Sequence, residues 1–249
     1  MVAIYSVYYM IVSQIQNVCA SFVTGMEAVF GDMLAKDENT TLRRTFCYYE
    51  TLISVISTIL FSVTIVMIVP FVRIYTMGIN DANYIEPTFA IVLALASYIY
   101  CIRTPYHGMV IAAGHFKQTQ VAAYGEAIIN IVLSLLLVKS LGLLGVAIGT
   151  LVATIVRMIY YAIYLRKNIF KRKVVLFVKR EMVNIGLFAT ICLLGNVLTK
   201  VVDINTYFMW VGVAAVTMLI AIGVTFAGNY LFFKSDFKKI ITKIGLVRH

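Results

Sequence analysis

The chain has 249 residues, of which 61% are hydrophobic and 13% are charged. A soluble domain usually carries about 25% charged residues, so this small number of charges could not cover so much apolar surface in water. Apolar side chains in lipid need no polar cover. The formal net charge of +10 could indicate nucleic acid. The basic residues, however, stand in short gaps between long apolar runs, as membrane topology requires. We therefore expect a membrane protein that binds no nucleic acid.

Seven stretches are long enough to cross a bilayer, for which a helix needs about 20 mostly apolar residues. The fourth and fifth are joined by only four residues, which predicts a tight antiparallel hairpin. The sixth is short and contains Gly195 and Asn196. We expect an all-α, polytopic transmembrane bundle over residues 1–233, followed by a basic cytoplasmic tail over 234–249. The predicted spans are 4–24, 46–69, 87–113, 119–138, 143–165, 183–200 and 207–233.

The gap between the first two spans has a pattern of its own. From Gly25 to Asn39, apolar residues alternate with acidic ones. Such amphipathic segments lie at the surface of a membrane. The pattern predicts a short helix on the cytoplasmic face of the bundle.

Lysine and arginine alternate between the two sides of the predicted bundle. Of the 21 basic residues, 16 lie in the odd-numbered gaps or the tail and three lie in the even-numbered gaps. Basic residues remain in cytoplasmic connections, so the odd gaps and the C-terminus are predicted to be cytoplasmic. The N-terminus would then face outward, yet no signal peptide is visible. This favours a chain that is the C-terminal part of a longer transporter or the product of a truncated open reading frame.

Polar side chains inside the predicted spans are the candidate functional residues, because ionisable groups in a bilayer are costly and tend to be functional. At ~1.5 Å per residue, they fall ~10–15 Å from the cytoplasmic ends of their spans. Residues four apart share a helix face, which pairs Arg103 with His107 and Glu126 with Asn130. The predicted lining of a cytoplasm-facing cavity is Arg103, Arg157, Glu126, Asn130, His107, Gln14 and Asn17.

Two interpretations of these residues stay open. A guanidinium fork suits phosphate oxygens, which makes Arg103 and Arg157 candidates for binding a substrate. Arg157 could instead extend to the headgroups, and Glu126 could only neutralise an arginine inside the bundle. Gln14 and Asn17 could instead form interhelical hydrogen bonds.

Enzyme and metal motifs are missing from the sequence. It contains no phosphate-binding Walker loop, no HExxH and no nucleophile elbow. The cysteines form no CxxC pair and no His cluster has metal-ligand spacing, so we interpret them as small, buried apolar side chains. We expect no enzymatic activity, no cofactor and no metal site. The cysteines are Cys19, Cys47, Cys101 and Cys192.

One part of the chain resembles a known family. Ala112 to Lys117 is followed by Glu126 and Asn130, and then by the run Gly-Leu-Leu-Gly-Val-Ala-Ile-Gly-Thr from Gly142. This order is similar to polysaccharide flippases of the multidrug, oligosaccharidyl-lipid and polysaccharide exporter superfamily. The loop from residue 30 to residue 44 resembles them too. The resemblance implies one lobe, plus extra C-terminal helices, of a two-lobed exporter with 12 to 14 helices.

The resemblance also implies a function. Such flippases move undecaprenyl-pyrophosphate-linked oligosaccharides across the bacterial inner membrane for cell-surface polysaccharide biosynthesis. Their cationic cavity would correspond to Arg103, with Arg157 as a second candidate. The implied partners are the lipid-linked oligosaccharide, membrane lipids, and a missing N-terminal lobe or polysaccharide assembly proteins. One alternative is a cation-coupled multidrug exporter that uses Glu126 as its proton or sodium site. Another is a non-transporting membrane scaffold or degenerate fragment.

Overall fold

The computed structural model describes residues 1–22, 25–79, 81–170 and 175–232. The predicted basic tail, 234–249, lies outside these residues. The described part of the chain contains eight α-helices, one π-helical turn at Arg166–Phe170 and no strand. The helices are α1 (Val2–Ser21), α2 (Met26–Ala35), α3 (Asn39–Tyr75), α4 (Pro87–Ala112), α5 (Phe116–Leu141), α6 (Leu143–Leu165), α7 (Val175–Val201) and α8 (Tyr207–Phe232).

Seven helical stretches among the described residues are long and apolar enough to cross a membrane. They are α1 together with α2, and each of the helices α3 to α8. The predicted all-α bundle is therefore confirmed, and the chain is a multi-pass membrane protein. The helix α3 has 37 residues and is ~55 Å long, so it exceeds the ~30 Å hydrocarbon core.

The helix bounds differ most from prediction at the start of α7. The sequence predicts that the sixth span begins at residue 183, but α7 begins at Val175. The predicted connection before that span contains Arg180 and Glu181, whereas the structure has both residues within α7. Both side chains are buried against polar groups of α3. In the sequence, charged residues near the end of a helix resemble a loop. The residues that pair with them lie far away in the chain, so local sequence does not reveal their burial.

Consecutive membrane-spanning helices run in opposite directions, which gives the bundle two distinct ends. The hydroxyl of Tyr8, near the start of α1, donates to the carbonyl of Tyr84 just before α4. At the other end, α7 begins beside the first half of α3, where Asn184 donates to Ser54. We call the end at which α4 finishes and α5 begins the basic end. Among the described residues, this end carries most of the basic side chains that lie near the end of a helix.

The helices α3 and α4 form the centre of the bundle, and α5 lies at its edge. In their most apolar windows, 67% of the residues of α3 and 56% of those of α4 are buried, against 6% for α5. The side chains of Val121, Leu135 and Leu136 on α5 are at least 64% exposed. An apolar face of this kind is stable against lipid rather than water.

The short helix that the sequence predicts after the first span exists as α2 and is anchored by one aromatic side chain. Phe30 is fully buried, with ring centroids 5.9 Å from Phe46 and 5.7 Å from Tyr49. The side chain of Glu27 lies against α4, where its Cγ would be 3.3 Å from a Cβ added to Gly108. Packing of one apolar face explains why a 10-residue segment is helical here.

The hairpin of α5 and α6 depends on glycine. Gly142 turns the chain with φ +57°, a conformation that side chains with a Cβ rarely adopt. A Cβ on Gly145 would lie 2.6 Å from the backbone carbonyl of Leu137. The two helices therefore approach each other more closely than any larger residue would allow, as the Gly145–Gly149 spacing predicts.

Candidate functional site: an Arg–Glu–Arg triad between α4, α5 and α6

Three charged side chains from three helices meet inside the bundle. The Arg103 Nη1 atom on α4 donates to Glu126 Oε1 on α5 at 2.7 Å. Arg157 Nη1 on α6 donates to the other carboxylate oxygen, Glu126 Oε2. We call these residues the arginine triad. Their predicted proximity is confirmed, and a single carboxylate is shared by both guanidinium groups.

Aromatic side chains flank the arginine triad, Tyr161 on the side of the basic end and Tyr100 on the other side. The hydroxyl of Tyr161 accepts from Arg157 Nη2 at 2.9 Å and lies 3.2 Å from His107 Nδ1. The guanidinium of Arg103 lies 4.9 Å from the ring centroid of Tyr100, within range of a cation–π contact. His107 and Tyr100 are exposed on α4, so the triad lies just beneath the bundle surface.

The arginine triad carries a formal charge of plus one and has little access to its surroundings. Its side chains are 7% exposed for Arg103, 19% for Glu126 and 17% for Arg157. Arg103 and Glu126 lie nine and ten residues from the basic ends of α4 and α5, which places them ~14–15 Å into the bundle. An excess positive charge at this depth is costly unless an anion accompanies it.

The helix α4 contains a proline, Pro105, two residues after Arg103. Pro105 has no N–H to donate to the carbonyl of Cys101. The hydroxyl of Thr104 donates to that carbonyl instead, at 2.6 Å. The carbonyl that the proline leaves without a backbone donor is therefore satisfied locally, and α4 continues through the proline to Ala112.

Three predicted site residues lie elsewhere. The Asn130 Oδ1 atom accepts from Ser134 at 3.1 Å and from Thr150 at 3.3 Å, so Asn130 joins α5 to α6 one turn away from Glu126. The side chains of Gln14 and Asn17 are exposed on α1 and form no hydrogen bond with other described residues. The structure does not bring these three side chains into contact with the arginine triad.

A second group of charged side chains lies between α3, α4 and α7. Arg180 Nη1 is 3.5 Å from Glu50 Oε2, and Glu50 Oε1 accepts from the hydroxyl of Tyr106. The neighbouring Glu181 accepts from Ser54 Oγ at 2.8 Å. We call Glu50, Arg180 and Glu181 the carboxylate cluster. None of its members is among the residues predicted from the sequence, although Glu50 is an ionisable residue inside a predicted span and could have been found by that rule.

The cysteines and the cavities add no further site of this kind. All four cysteines are free; Cys19 and Cys101 are buried, and Cys47 and Cys192 are half-buried. An apolar cavity of about 440 Å³ lies between α1, α3 and α8, and no residue of the arginine triad lines it. No group of three or more His, Cys, Asp or Glu residues that could hold a metal occurs in the described part of the chain.

No protein-family model, no curated protein and no solved structure matches the chain. The two buried charged groups are therefore the only basis for a functional argument among the features that the structure describes.

Proposed function

We propose that the chain takes part in flipping a lipid-linked oligosaccharide, of the undecaprenyl-pyrophosphate type, across the bacterial inner membrane for surface polysaccharide assembly. The observation that supports this proposal is the arginine triad, which holds two arginines and one carboxylate inside a membrane bundle. The lipid carrier would lie against the apolar helices, and the arginine triad would bind its charged headgroup.

The charge of the arginine triad favours an anionic substrate. With Glu126 in place the triad keeps one uncompensated positive charge, and a pyrophosphate would supply the missing negative charge. Two guanidinium forks match the spacing of phosphate oxygens better than two ammonium groups would. The substrate would displace Glu126 from one or both arginines, and Glu126 would return when the substrate leaves.

The proposed direction of transport rests on the orientation of the chain, which the alternation of basic residues predicts. The basic end faces the cytoplasm under the positive-inside rule, so the triad would meet the headgroup from the cytoplasmic leaflet. A second lobe would complete the cavity, and rocking of the two lobes would expose the sugar on the outer side. Under this proposal the C-terminus is cytoplasmic.

The orientation has its own test. In a variant without the four native cysteines, Lys167→Cys at the basic end and Asn83→Cys at the opposite end are both exposed positions. On intact cells, a membrane-impermeant maleimide should label Asn83→Cys and leave Lys167→Cys unlabelled. The reverse result would contradict the proposed orientation.

The arginine triad also bears on the alternative of a cation-coupled drug exporter. Glu126 is already contacted by two guanidinium groups, so Na⁺ or a drug cation would have to approach a region of net positive charge. The geometry therefore favours the anionic substrate over a cation at Glu126.

The function is tested by Arg103→Gln in the host membrane, with Arg73→Gln as the matched control. Arg73 is an exposed arginine on α3 near the opposite end of the bundle. Loss of one charged hydrogen bond costs about 1.5–3 kcal/mol, so polysaccharide export should fall roughly 10- to 100-fold in Arg103→Gln. The control should keep full export, and both variants should reach the membrane at equal levels.

Three outcomes would contradict the proposal. Undiminished export in Arg103→Gln would remove the arginine triad from transport. Drug resistance that disappears in Glu126→Gln while polysaccharide export persists would support the drug exporter. Full export after deletion of the whole chain would support the scaffold or degenerate fragment.

A further inference from the structure

We propose that one face of α1 binds a second copy of this chain, so that the protein forms a parallel dimer in the membrane. We call this surface the polar face of α1. It points away from α3 and α4 and consists of Ala3, Ser6, Met10, Ser13, Gln14 and Asn17. The dimer goes beyond the transport proposed above, since it rests on neither the arginine triad nor its substrate.

The polarity of α1 is the reverse of what lipid favours. The helix packs against α3 and α4, and the residues that it buries are Ile4, Tyr8, Val12 and Cys19. On the opposite side it exposes the carboxamides of Gln14 and Asn17. The helices α5, α6 and α8 expose large apolar side chains instead, such as Leu135, Ile159 and Leu219. Lipid is a poor solvent for carboxamides, so the polar face of α1 is suited to contact protein.

Gln14 and Asn17 lie at membrane depth and are open to further hydrogen bonds. The helix α1 has 20 residues and is ~30 Å long, which matches the hydrocarbon core of a bilayer. The hydroxyls of Ser6 and Ser13 donate to carbonyl oxygens of α1 at 3.0 Å, so they need no further acceptor. The two carboxamides form no hydrogen bond with other described residues. Such groups pair between membrane helices, so a helix from another copy can supply the partner.

The spacing of residues on the polar face of α1 suits a second helix. The residues separated alternately by three and four positions are Ala3, Ser6, Met10, Ser13 and Asn17. This alternation places them along one seam, as in the heptads of parallel coiled coils. Three of the five have small side chains, which allow the backbones of two membrane helices to approach closely. Asn17 then lies on the seam itself, and Gln14 lies beside it.

Symmetry makes a second copy of this chain the fitting partner. Both copies are inserted with the same orientation, so their α1 helices run parallel. A two-fold axis along the membrane normal then places each residue of the seam opposite its own counterpart. A carboxamide carries both a donor and an acceptor, so Asn17 can donate to Asn17 of the second copy and accept from it. No charged side chain occurs from Val2 to Phe22, so no like-charge repulsion opposes the contact.

Cross-linking in the host membrane tests where the two copies meet. In the full chain without its four native cysteines, single cysteines are introduced as Met10→Cys and Ser13→Cys on the polar face of α1. Val18→Cys is the matched control, because Val18 is 46% exposed on α1 but points ~100° away from Asn17. Oxidation by copper phenanthroline and oxygen should join the Met10→Cys and Ser13→Cys chains into disulfide-linked dimers and leave the Val18→Cys chain monomeric.

The affinity of the dimer tests the role of the carboxamide. The full chain, carrying one fluorophore, is reconstituted into vesicles of phosphatidylethanolamine and phosphatidylglycerol, and dimers are counted by single-molecule photobleaching at several protein-to-lipid ratios. Asn17→Leu should weaken the dimer about 3- to 30-fold, the range expected for interhelical hydrogen bonds in membranes. Asn17→Gln should retain most of the affinity, because glutamine keeps the carboxamide, and the control Val18→Leu should not change it.

The dimer is refuted if single photobleaching steps show a monomer at every protein-to-lipid ratio, or if Asn17→Leu leaves the affinity unchanged. Cross-links at Val18→Cys but not at Met10→Cys would place the contact on another face. A cross-link from Met10→Cys to a different protein would assign the polar face of α1 to that protein. Labelling of Met10→Cys by a water-soluble maleimide in a monomeric chain would assign it to a water-filled cavity. The fluorescence of Trp210 checks that each variant is folded.

Discussion

Replacing Glu126 with glutamine removes the only carboxylate of the arginine triad and leaves two guanidinium groups side by side. Their side chains are 7% and 17% exposed, so water can hydrate the released charges only partly. Removing one partner of a buried ion pair costs about 3–5 kcal/mol of stability. Because Glu126 itself is 19% exposed, we expect a value near the lower limit, about 3 kcal/mol.

A double-mutant cycle separates this electrostatic effect from a loss of packing. Arg157→Met leaves Arg103 and Glu126 as a neutral pair, so it should cost only about 1–2 kcal/mol. The double variant Glu126→Gln/Arg157→Met leaves one unpaired charge instead of two. Its cost should therefore fall below the sum of the single costs by about 1–3 kcal/mol.

Unfolding in detergent can be followed by the fluorescence of Trp210, the single tryptophan of the chain. Its Nε1 atom donates to the carbonyl of Met67 at 3.0 Å, so the signal reports the contact between α3 and α8. Lys36→Met is the control, because the Lys36–Asp32 pair is exposed and should have no measurable effect. Costs that add within about 0.5 kcal/mol would refute the shared carboxylate.

Two further predictions concern packing. Gly145→Ala should destabilise the α5–α6 hairpin by about 1–3 kcal/mol or more, because the added Cβ would overlap the backbone of Leu137. In the control Gly125→Ala the added Cβ meets no atom within 4 Å, so this variant should be neutral or stabilising in the same assay. Phe30→Ala should release α2 at a cost of about 3–5 kcal/mol and make it a protease target, whereas Val29→Ala, at a 41% exposed position, should not. Equal behaviour within either pair would contradict the packing described for that helix.

Local patterns were sufficient to predict the helices and the depth of several charges. Hydropathy is a property of contiguous residues, so the bounds of α6 agree with the predicted span, and those of α4 and α8 agree within one residue. Because the rise per residue of a helix is fixed, counting along the spans was enough to predict similar depths for Arg103, Glu126 and Arg157. Glycine spacing likewise predicted the close contact at Gly145, since it depends on one missing side chain.

The tertiary structure alone decided which side chains meet. A spacing of four residues shows that Glu126 and Asn130 share a face, but it does not show that one reaches two arginines while the other binds Thr150. Glu50 and Arg180 are 130 residues apart in the chain, and their pairing follows only from how α3 and α7 pack. Sequence periodicity reports the environment of one helix, whereas burial of a charge depends on the partner that another helix supplies.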